Sequence, residues 1–556
     1  MKALAYGFTT ICLLSAVLVG CGGGGGGGNN NEESNPAPSP NQPPVISNLT
    51  ASPNPVSKGQ TMTVSATASD PEGDTLNYQW TVPAGYTIQS GQGSPQIVVL
   101  ATQLLAKGNV QVTVSDGSLT ATSSVAVSTN DGAWGTAGSI ENDNGQNYSP
   151  QIAIAANGDA IAVWTQYDGT RNSVWANRYV ASTGWETAGS IETDANSNWE
   201  LQVATDANGN AIAVWTQQQC GNDGPCRYTI WADRYDVAGG SWGTAVQINS
   251  GDGSSYYNNS PQVAMDASGN AIVVWTQYDD GNANLWTNRY VAGVGWEGAK
   301  AQTHAGYNYN SQIAMDAKGD AIIVWMQYGI NILAKRYVAG GDWEKTVLIE
   351  SVSGYSYSNL QIAMNAGGDA IVVWGQCTDT QCNQGNIWAS RYVADKDWET
   401  AMQVETANLP LQCYPDQQVA MDASGNAIVV WTQYTYTTDN GCNQPSIQAN
   451  RYTAGTGWGT AAPIETDDKD NWGPRIAMDP SGNAIAVWTQ CGGEAPCNIL
   501  ANRYVAGTGW GTAAPIDTND QDNYYPQIAM AAGGDAVAVW TQYDGTLDNI
   551  WANAFK

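Results

Sequence analysis

An eightfold internal repeat is the feature that most constrains the fold of this chain. From Trp134 to Lys556 a unit of about 53 residues recurs eight times. Each copy contains an apolar strand such as Gln262 to Met265, a tight glycine turn, and a second strand such as Ala271 to Gln277. A third strand and a fourth, such as Trp510 to Asp517, complete the unit, without helical periodicity. The pattern predicts an all-β chain whose residues 134–556 form an eight-bladed β-propeller.

The ends of the repeat region predict how the ring closes. The fourth-strand pattern first occurs at Trp134 to Glu141, before any complete copy, and it is missing after Phe555. We therefore expect the N-terminal strand to complete the last blade, so that the ring closes by pairing of its N- and C-terminal strands. Closure removes exposed sheet edges. The recurring Pro-Gln-Ile-Ala-Met-Asp-x-x-Gly-Asn pattern also resembles the inner hairpin of NHL-type propellers.

Most tryptophans recur at fixed positions of the repeat, which predicts a scaffold role for them. One ends each second strand, another opens each fourth strand, and five more lie on third strands. A large aromatic residue needed in every copy is expected to pack between blades. An arginine at one third-strand position of seven copies is expected to stack on an aromatic ring or pair with a carboxylate between blades. These arginines are Arg178, Arg234, Arg289, Arg336, Arg391, Arg451 and Arg503.

The first 44 residues have the composition of an export signal followed by a tether. A basic residue and an apolar run too short to span a membrane open the chain. The run ends in Leu18-Val19-Gly20-Cys21, which resembles the lipobox of bacterial lipoproteins. The resemblance implies a signal peptide over residues 1–20, lipidation of Cys21, and the outer membrane as destination because Gly22 is not Asp. Residues 21–44, rich in Gly and Pro, are then the tether. A secretory signal with an incidental cysteine is the alternative.

Residues 45–130 are predicted to form a small β-sandwich, because short alternating strands are separated by turn signals. The segments Asp70-Pro71-Glu72-Gly73-Asp74 and Val112-Thr113-Val114-Ser115-Asp116-Gly117 resemble the PKD and cadherin-like group of immunoglobulin-type sandwiches. The resemblance makes Trp80 the core tryptophan. Four turn carboxylates are candidate Ca²⁺ ligands, with solvated turn residues as the alternative. They are Asp70, Glu72, Asp74 and Asp116.

The eight cysteines that follow Cys21 are predicted to form four disulfides, as is usual in an exported protein. Three pairs each fall within one loop between second and third strands. These pairs are Cys220 with Cys226, Cys377 with Cys382, and Cys491 with Cys497. In an up-down blade these loops emerge on the same face as the fourth-to-first connections. Cys413 and Cys442, which lie in one connection of each kind in blade 6, can therefore meet.

That same face, here called the loop face, carries the candidate ligand-binding residues. Each fourth-to-first loop holds an aromatic residue shortly before the first strand, with carboxylates just upstream. Such aromatic platforms beside acids suit carbohydrate or peptide recognition, and packing over the blade tops is the alternative. The aromatic residues are Tyr148, Trp199, Tyr257, Tyr309, Tyr357, Tyr414, Trp472 and Tyr524. The acids are Asp143, Asp194, Asp252, Asp468, Asp470, Asp520 and Asp522.

Composition narrows the possible functions. A net charge of -30 disfavours nucleic-acid binding. A single histidine, His304, disfavours a His-based metal site or a Ser-His-Asp triad. Sialidase-like propellers use an arginine cluster, whereas here most arginines occupy the repeat position. The sequence therefore predicts a lipid-anchored envelope protein whose loop face binds a glycan or an envelope protein without catalysis and without a cofactor other than Ca²⁺. A glycan hydrolase or lyase that uses loop carboxylates is the alternative.

Overall fold

The structure is a computed structural model, and within the residues that it describes all regular elements are β-strands. It describes residues 40–556 apart from 57, 105, 130–131, 143–144, 193–195, 221–225, 250–256, 280, 305, 352–358, 378–384, 395, 406–415, 438–440, 494 and 519. No helix in this part of the chain has the length and apolarity needed to cross a membrane. Cys21 and the predicted signal peptide and tether lie outside the described residues, except for residues 40–44 of the tether.

The N-terminal domain is a sandwich of two sheets. One sheet has the order β1 (Val45–Ser52), β2 (Thr61–Ser69), β5 (Gln96–Ala101) and β4 (Tyr86–Ser90). The other has the order β3 (Asn77–Thr81), β6 (Lys107–Ser115) and β7 (Thr120–Ser128). Alternate residues of the strands point into a shared core, which includes Trp80. The indole nitrogen of Trp80 donates to the Ser94 carbonyl at 2.8 Å, which confirms the core role predicted for this residue.

The remainder of the chain forms eight sheets, one per repeat. Blade 1 comprises β9 (Gln146–Ile154), β10 (Ala160–Tyr167), β11 (Asn172–Val180), β12 (Gly184–Trp185) and β13 (Gly189–Ser190). Blade 2 comprises β14 (Ser197–Thr205), β15 (Ala211–Gln219), β16 (Arg227–Asp236), β17 (Ser241–Trp242) and β18 (Val246–Gln247). Blade 3 comprises β19 (Tyr257–Met265), β20 (Ala271–Asp279), β21 (Asn282–Val291), β22 (Gly295–Trp296) and β23 (Lys300–Ala301). Blade 4 comprises β24 (Asn308–Met315), β25 (Ala321–Gln327), β26 (Asn331–Tyr337) and β27 (Val347–Ser351).

The second half of the ring continues in chain order. Blade 5 comprises β28 (Gln361–Met364), β29 (Ala370–Cys377), β30 (Gly385–Tyr392) and β31 (Met402–Gln403). Blade 6 comprises β32 (Gln418–Met421), β33 (Ala427–Thr437), β34 (Gly441–Thr453), β35 (Gly457–Trp458) and β36 (Ala462–Pro463). Blade 7 comprises β37 (Asp470–Met478), β38 (Ala484–Gly492), β39 (Ala495–Val505), β40 (Gly509–Trp510) and β41 (Ala514–Pro515). Blade 8 comprises β42 (Asp522–Met530), β43 (Ala536–Tyr543), β44 (Asp548–Phe555) and β8 (Gly138–Ser139).

The ring closes as predicted from the chain ends. β8 pairs with β44 through Gly138 opposite Ala552, and a bridge joins Trp134 to Phe555. The first strands of neighbouring blades contact one another around the whole ring, with β42 meeting β9. First strands therefore surround the centre, second strands are buried between blades, and fourth strands form the rim. The prediction of one fourth strand over Trp510 to Asp517 was wrong, because this segment pairs only through the short strands β40 and β41.

Packing between blades uses the repeated aromatic residues and cations. The eight second-strand tryptophans are at most 1% exposed, which confirms their scaffold role. Each third-strand arginine lies 4.6 to 6.0 Å from the centre of a tyrosine or phenylalanine ring of the next blade. Blade 8 has Ala554 at this position, and Lys556 instead places its ammonium 5.2 Å from the Tyr179 ring of blade 1. A ring of cation–π contacts thus joins all eight blades.

The sandwich is docked on the face that carries the tight turns. Because blade 8 lacks the repeat arginine, Asp535 of its tight turn pairs instead with Lys58 of the sandwich. In blades 1, 4 and 5 the aspartate at this turn position pairs with the arginine of its own blade. Leu104 is 4% exposed in a core cluster of the propeller, and its N–H donates to the Gly533 carbonyl at 2.9 Å. The loop face, on the opposite side, is left uncovered by the sandwich.

Candidate functional site: an aromatic strip on the loop face

The aromatic residues predicted to lie before the first strands lie inside those strands. Each lies one position after a fully buried asparagine. These residues are Tyr148, Trp199, Tyr309, Trp472 and Tyr524, in β9, β14, β24, β37 and β42. Their assignment to loops was wrong, because a bulge shifts the register two to three residues later in each strand. The bulge interrupts the alternation by which a strand is read from sequence.

The bulge also creates a ring of residues with positive φ around the centre of the loop face. In seven blades one such residue lies two positions before the residue at which regular pairing with the second strand begins. They are Ser149, Glu200, Ser260, Asn310, Asp416, Gly473 and Tyr525. Glycine takes this conformation without steric cost, as in blade 7, whereas other residues adopt it only where the surrounding structure holds them. The side chains at the mouth of the propeller are therefore presented by a backbone held in a defined shape.

The repeat register departs from the prediction in blade 3. Asn259 occupies the aromatic position there, and Tyr257 lies two residues earlier, as the first residue of β19. Tyr357 and Tyr414, together with three of the predicted acids, lie outside the described residues. These acids are Asp143, Asp194 and Asp252.

Blades 2, 3 and 4 bring six aromatic rings into a continuous series, which we call the aromatic strip. In order along the series they are Trp199, Tyr228, Tyr257, Tyr278, Tyr307 and Tyr309. The successive ring centroids are 6.3, 4.7, 5.4, 6.2 and 6.1 Å apart. Neighbouring ring planes are inclined by 39 to 78°, in tilted or edge-to-face pairs, and each of the six rings is half-buried or exposed.

A cleft of about 500 Å³ opens at the blade 4 end of the strip. Its walls include four tyrosines, and amide and hydroxyl side chains lie between them. The tyrosines are Tyr278, Tyr307, Tyr309 and Tyr328, and the polar residues are Asn259, Ser260, Thr276 and Asn310. The volume is in the range of pockets that hold small ligands. Burial raises the pKa of the Tyr278 hydroxyl, and Tyr307 raises it further, so Tyr278 stays a neutral hydroxyl at ordinary pH.

Tyr328 is the most unusual side chain of the cleft. It is 59% exposed and has a φ of 53°, a conformation that is rare for a bulky residue. Two glycines make room beside the cleft. A Cβ at Gly306 would lie 3.3 Å from the Tyr328 hydroxyl oxygen, and one at Gly329 would lie 3.0 Å from that of Tyr309. An exposed aromatic ring held in a strained backbone is typical of a ligand-binding position.

The carboxylate that follows Trp199 in the chain takes part in the scaffold. Glu200 follows Trp199 and is exposed. Its Oε2 accepts hydrogen bonds from the Thr216 hydroxyl at 2.8 Å and from the Ser260 backbone N–H at 2.7 Å. This carboxylate therefore joins blade 2 to blade 3. The described residues that line the cleft itself are all uncharged.

A second group of predicted residues meets where blade 8 adjoins blade 1. Burial raises the pKa of Tyr148, and the Asp548 carboxylate raises it further. Burial likewise raises the pKa of Tyr524, with Asp522 and Asp548 adding to the effect. Asp548 accepts a hydrogen bond from the Gln146 side chain at 2.8 Å, and Asp522 accepts one from the Cys497 backbone at 2.9 Å. Both carboxylates thus serve local structure.

The other predicted candidates do not join either group. Asp468, Asp470 and Asp520 are exposed at the start of blades 7 and 8. Trp472 is half-buried in β37, opposite Thr489 of β38. The structure thus brings Trp199 and Tyr309 together with four tyrosines in the strip, in blades 2 to 4, whereas the predicted acids that it describes lie at blades 7 and 8.

Two of the four predicted disulfides are present between described residues, Cys220 with Cys226 and Cys491 with Cys497. Cys377 and Cys442 are also disulfide-bonded. Their predicted partners, Cys382 and Cys413, lie outside the described residues, so these two pairings stay predictions.

The candidate Ca²⁺ ligands of the sandwich take part in turn hydrogen bonds. Asp70 accepts from the backbone N–H groups of Glu72 and Asp74 at 2.9 and 3.0 Å. Asp116 accepts from two backbone N–H groups of its own turn, which lower its pKa. Glu72 accepts from the side chain of Gln42 at 3.1 Å. Among the described residues no three His, Cys, Asp or Glu side chains form a group that could hold a metal ion.

Sequence analysis missed Tyr228, Tyr278, Tyr307 and Tyr328. Tyr278 and Tyr328 follow the glutamine that ends the second-strand motif, a position also held by Tyr167 in blade 1. That recurring tyrosine, at the loop-face end of a buried strand, was a usable signal. Tyr228 and Tyr307 lie at positions without a repeated aromatic residue. Their place in the strip follows only from their contacts with neighbouring rings in the folded protein.

Comparisons with known proteins identify the N-terminal domain. Residues 48–128 match the PKD-like domain family, which confirms the resemblance inferred for this segment. No curated protein matches the chain. Among solved structures, a Bacteroides thetaiotaomicron protein of unknown function is similar at 10% identity with a TM-score of 0.40, covering 93% of this chain and 99% of that chain.

Two further solved structures are similar to this chain. The NanB sialidase of Streptococcus pneumoniae has 9% identity and a TM-score of 0.34, covering 90% of this chain and 95% of its own. The GH93 α-L-arabinofuranosidase of Fusarium graminearum has 12% identity and a TM-score of 0.34, covering 53% and 91%. Likenesses of this size carry no conclusion about function. Family membership is therefore shown only for residues 48–128, which match the PKD-like domain family. In this chain an eight-bladed β-propeller follows that domain.

Proposed function

We propose that this chain is a lipid-anchored protein of the bacterial envelope whose propeller binds a glycan on its loop face. The observation that carries the proposal is the aromatic strip with its adjoining cleft. Tyr257, Tyr307 and Tyr328 are 44, 48 and 59% exposed, which is far more than the scaffold aromatics of the same blades. Sugars offer apolar ring faces that stack on aromatic side chains and hydroxyls that bond to amides, and the cleft supplies both kinds of group.

The arrangement of the domains supports the anchoring part of the proposal. The sandwich packs on the tight-turn face of blades 7 and 8, through Gln103 with Ser481 as well as Lys58 with Asp535. A tether that joins the membrane to the sandwich would therefore attach on the tight-turn side and leave the opposite, loop face accessible. The lipobox-like segment that ends in Cys21 supports the lipid anchor. Replacement of Cys21 by Ser should release the protein from membranes into the soluble envelope fraction, and continued retention in membranes would remove the anchor from the proposal.

Glycan binding is tested by screening the purified Cys21→Ser protein against immobilised polysaccharides. Tyr328→Ala should lower the affinity for the bound glycan by about tenfold or more, as expected for an exposed aromatic contact at the centre of a site. The matched control is Tyr543→Ala, because Tyr543 holds the same repeat position in blade 8 and is 38% exposed. Equal losses in both variants, or no glycan bound by the parent protein, would contradict the assignment. Release of new reducing ends would instead favour a hydrolase.

A further inference from the structure

We infer that the aromatic strip takes an uncharged, extended oligosaccharide, with one end of the sugar chain in the cleft and successive units laid over blades 3 and 2. This inference rests on the proposed function and deepens it. It specifies the charge of the ligand, its length, and the direction in which it crosses the propeller.

The charge of the ligand follows from the groups that would touch it. The polar side chains of the cleft are amides and hydroxyls, such as Asn259, Ser260 and Asn310. An anionic sugar would find no cation among them and would approach a chain with a net charge of -30. A cationic sugar would meet no carboxylate among the described residues that line the cleft. Burying an unpaired charge against uncharged groups is costly, so a neutral ligand fits best.

The length of the ligand follows from the extent of the strip. The cleft accounts for only one end of the strip, at Tyr278, Tyr307 and Tyr309. Four ring-to-ring contacts lead from Tyr307 back to Trp199 in blade 2, each between 4.7 and 6.3 Å. A single sugar in the cleft would leave Trp199 and Tyr228 without contact. A chain of several sugars can stack on successive rings, and each added ring contact contributes further affinity.

The strip is asymmetric within the ring, which argues against a purely structural role. The aromatic position of the first strand also holds Trp472 in blade 7, yet Trp472 lies outside the strip. Trp199 is therefore distinguished by its neighbours, because Tyr228 lies 6.3 Å from it and Tyr257 lies 4.7 Å from Tyr228. These two residues thus form a matched pair for experiment, with the same repeat position and different surroundings.

The experiment measures affinity against chain length by calorimetry. The probes are neutral gluco- and manno-oligosaccharides of two to six units, with oligogalacturonate as the anionic probe and chito-oligosaccharides with free amines as the cationic probe. Affinity for a neutral series should rise with each unit and then level off. It should change less than twofold between low and moderate salt, because screening acts on charged ligands.

The variants locate the two ends of the site. Trp199→Ala should lower the affinity for the longest neutral oligosaccharide by about tenfold and leave the affinity for the shortest unchanged. Tyr328→Ala should lower the affinity for both. Trp472→Ala should change neither. Length-independent affinity, or equal effects of Trp199→Ala on short and long probes, would overturn the extended ligand while leaving glycan binding intact. Binding of only a charged probe would overturn the neutral ligand, and binding of no glycan would instead remove the proposed function.

Discussion

A buried carboxylate in blade 2 gives the protein a pH-dependent weakness that one substitution should remove. Asp233 is 4% exposed on β16, and its Oδ2 is buried with no hydrogen-bond partner among the described residues. Five other blades have asparagine at this position, and each donates its Nδ2 to a carbonyl of the preceding blade. For example, Asn177 donates to the Ile140 carbonyl at 2.7 Å and Asn502 to the Ile464 carbonyl at 2.7 Å. An ionised Asp233 has no such proton to donate.

The size of the effect follows from the pKa. Burial raises the pKa of Asp233 from 3.8 to about 6, against the opposing hydrogen bonds from the backbone N–H groups of Arg234 and Gly243. Because the carboxyl pKa is higher in the folded state, this group costs little stability below about pH 3.8; the cost grows as the pH rises from 3.8 to about 6 and is fully present above that pH. The pKa of Asp233 is thus about two pKa units higher in the folded protein than in the unfolded chain. At about 1.4 kcal/mol per pKa unit, the free energy of unfolding is lowered by roughly 3 kcal/mol at pH 8 as an upper bound.

Asp233→Asn should therefore raise the free energy of unfolding by about 1 to 3 kcal/mol at pH 8 and by much less at pH 4.5. Urea denaturation followed by tryptophan fluorescence at several pH values measures this difference. Comparison of variant with parent isolates Asp233 from other buried acids such as Asp517, whose pKa is also raised to about 6 by burial. The reciprocal control is Asn502→Asp, which should introduce the same loss at high pH into blade 7. A gain from Asp233→Asn that is independent of pH, or a loss at pH 8, would refute this reasoning.

Three further predictions concern the scaffold. Trp275→Ala removes a fully buried ring between blades 2 and 3 and should cost about 3 to 5 kcal/mol, measurable as a lower denaturation midpoint; a cost below 1 kcal/mol would contradict its packing role. Lys58→Gln should loosen the sandwich at a cost of roughly 1 kcal/mol without lowering the melting temperature of the propeller; small-angle scattering should show a more extended particle, and an unchanged profile would count against the contact with blade 8. Non-reducing peptide mapping should find Cys413 joined to Cys442, a bond contributing roughly 3 kcal/mol, and any other partner for either cysteine would disprove the pairing.

Sequence alone was enough to determine the architecture of this protein. The count of eight blades, the closure of the ring by strand β8 and the scaffold role of Trp275 and its equivalents all follow from local periodicity repeated along the chain. These predictions are well supported because the same residue types recur at the same packing positions in each of the eight repeats. Departures from the repeat are also visible in sequence, such as Ala554 at the arginine position.

Only the tertiary structure decided which of the non-repeated residues act together. The first-strand bulge breaks the alternation pattern, so Trp199 and Trp472 could not be assigned to strands from sequence. Tyr228 and Tyr307 belong to different blades, and their place in one aromatic strip depends on how far neighbouring blades lie from each other. The contact of Lys58 with Asp535 likewise joins residues far apart in the chain. The sequence repeat shows which residues every blade requires for packing. The proposed binding surface consists of residues that differ between blades, and these residues come together only in the folded protein.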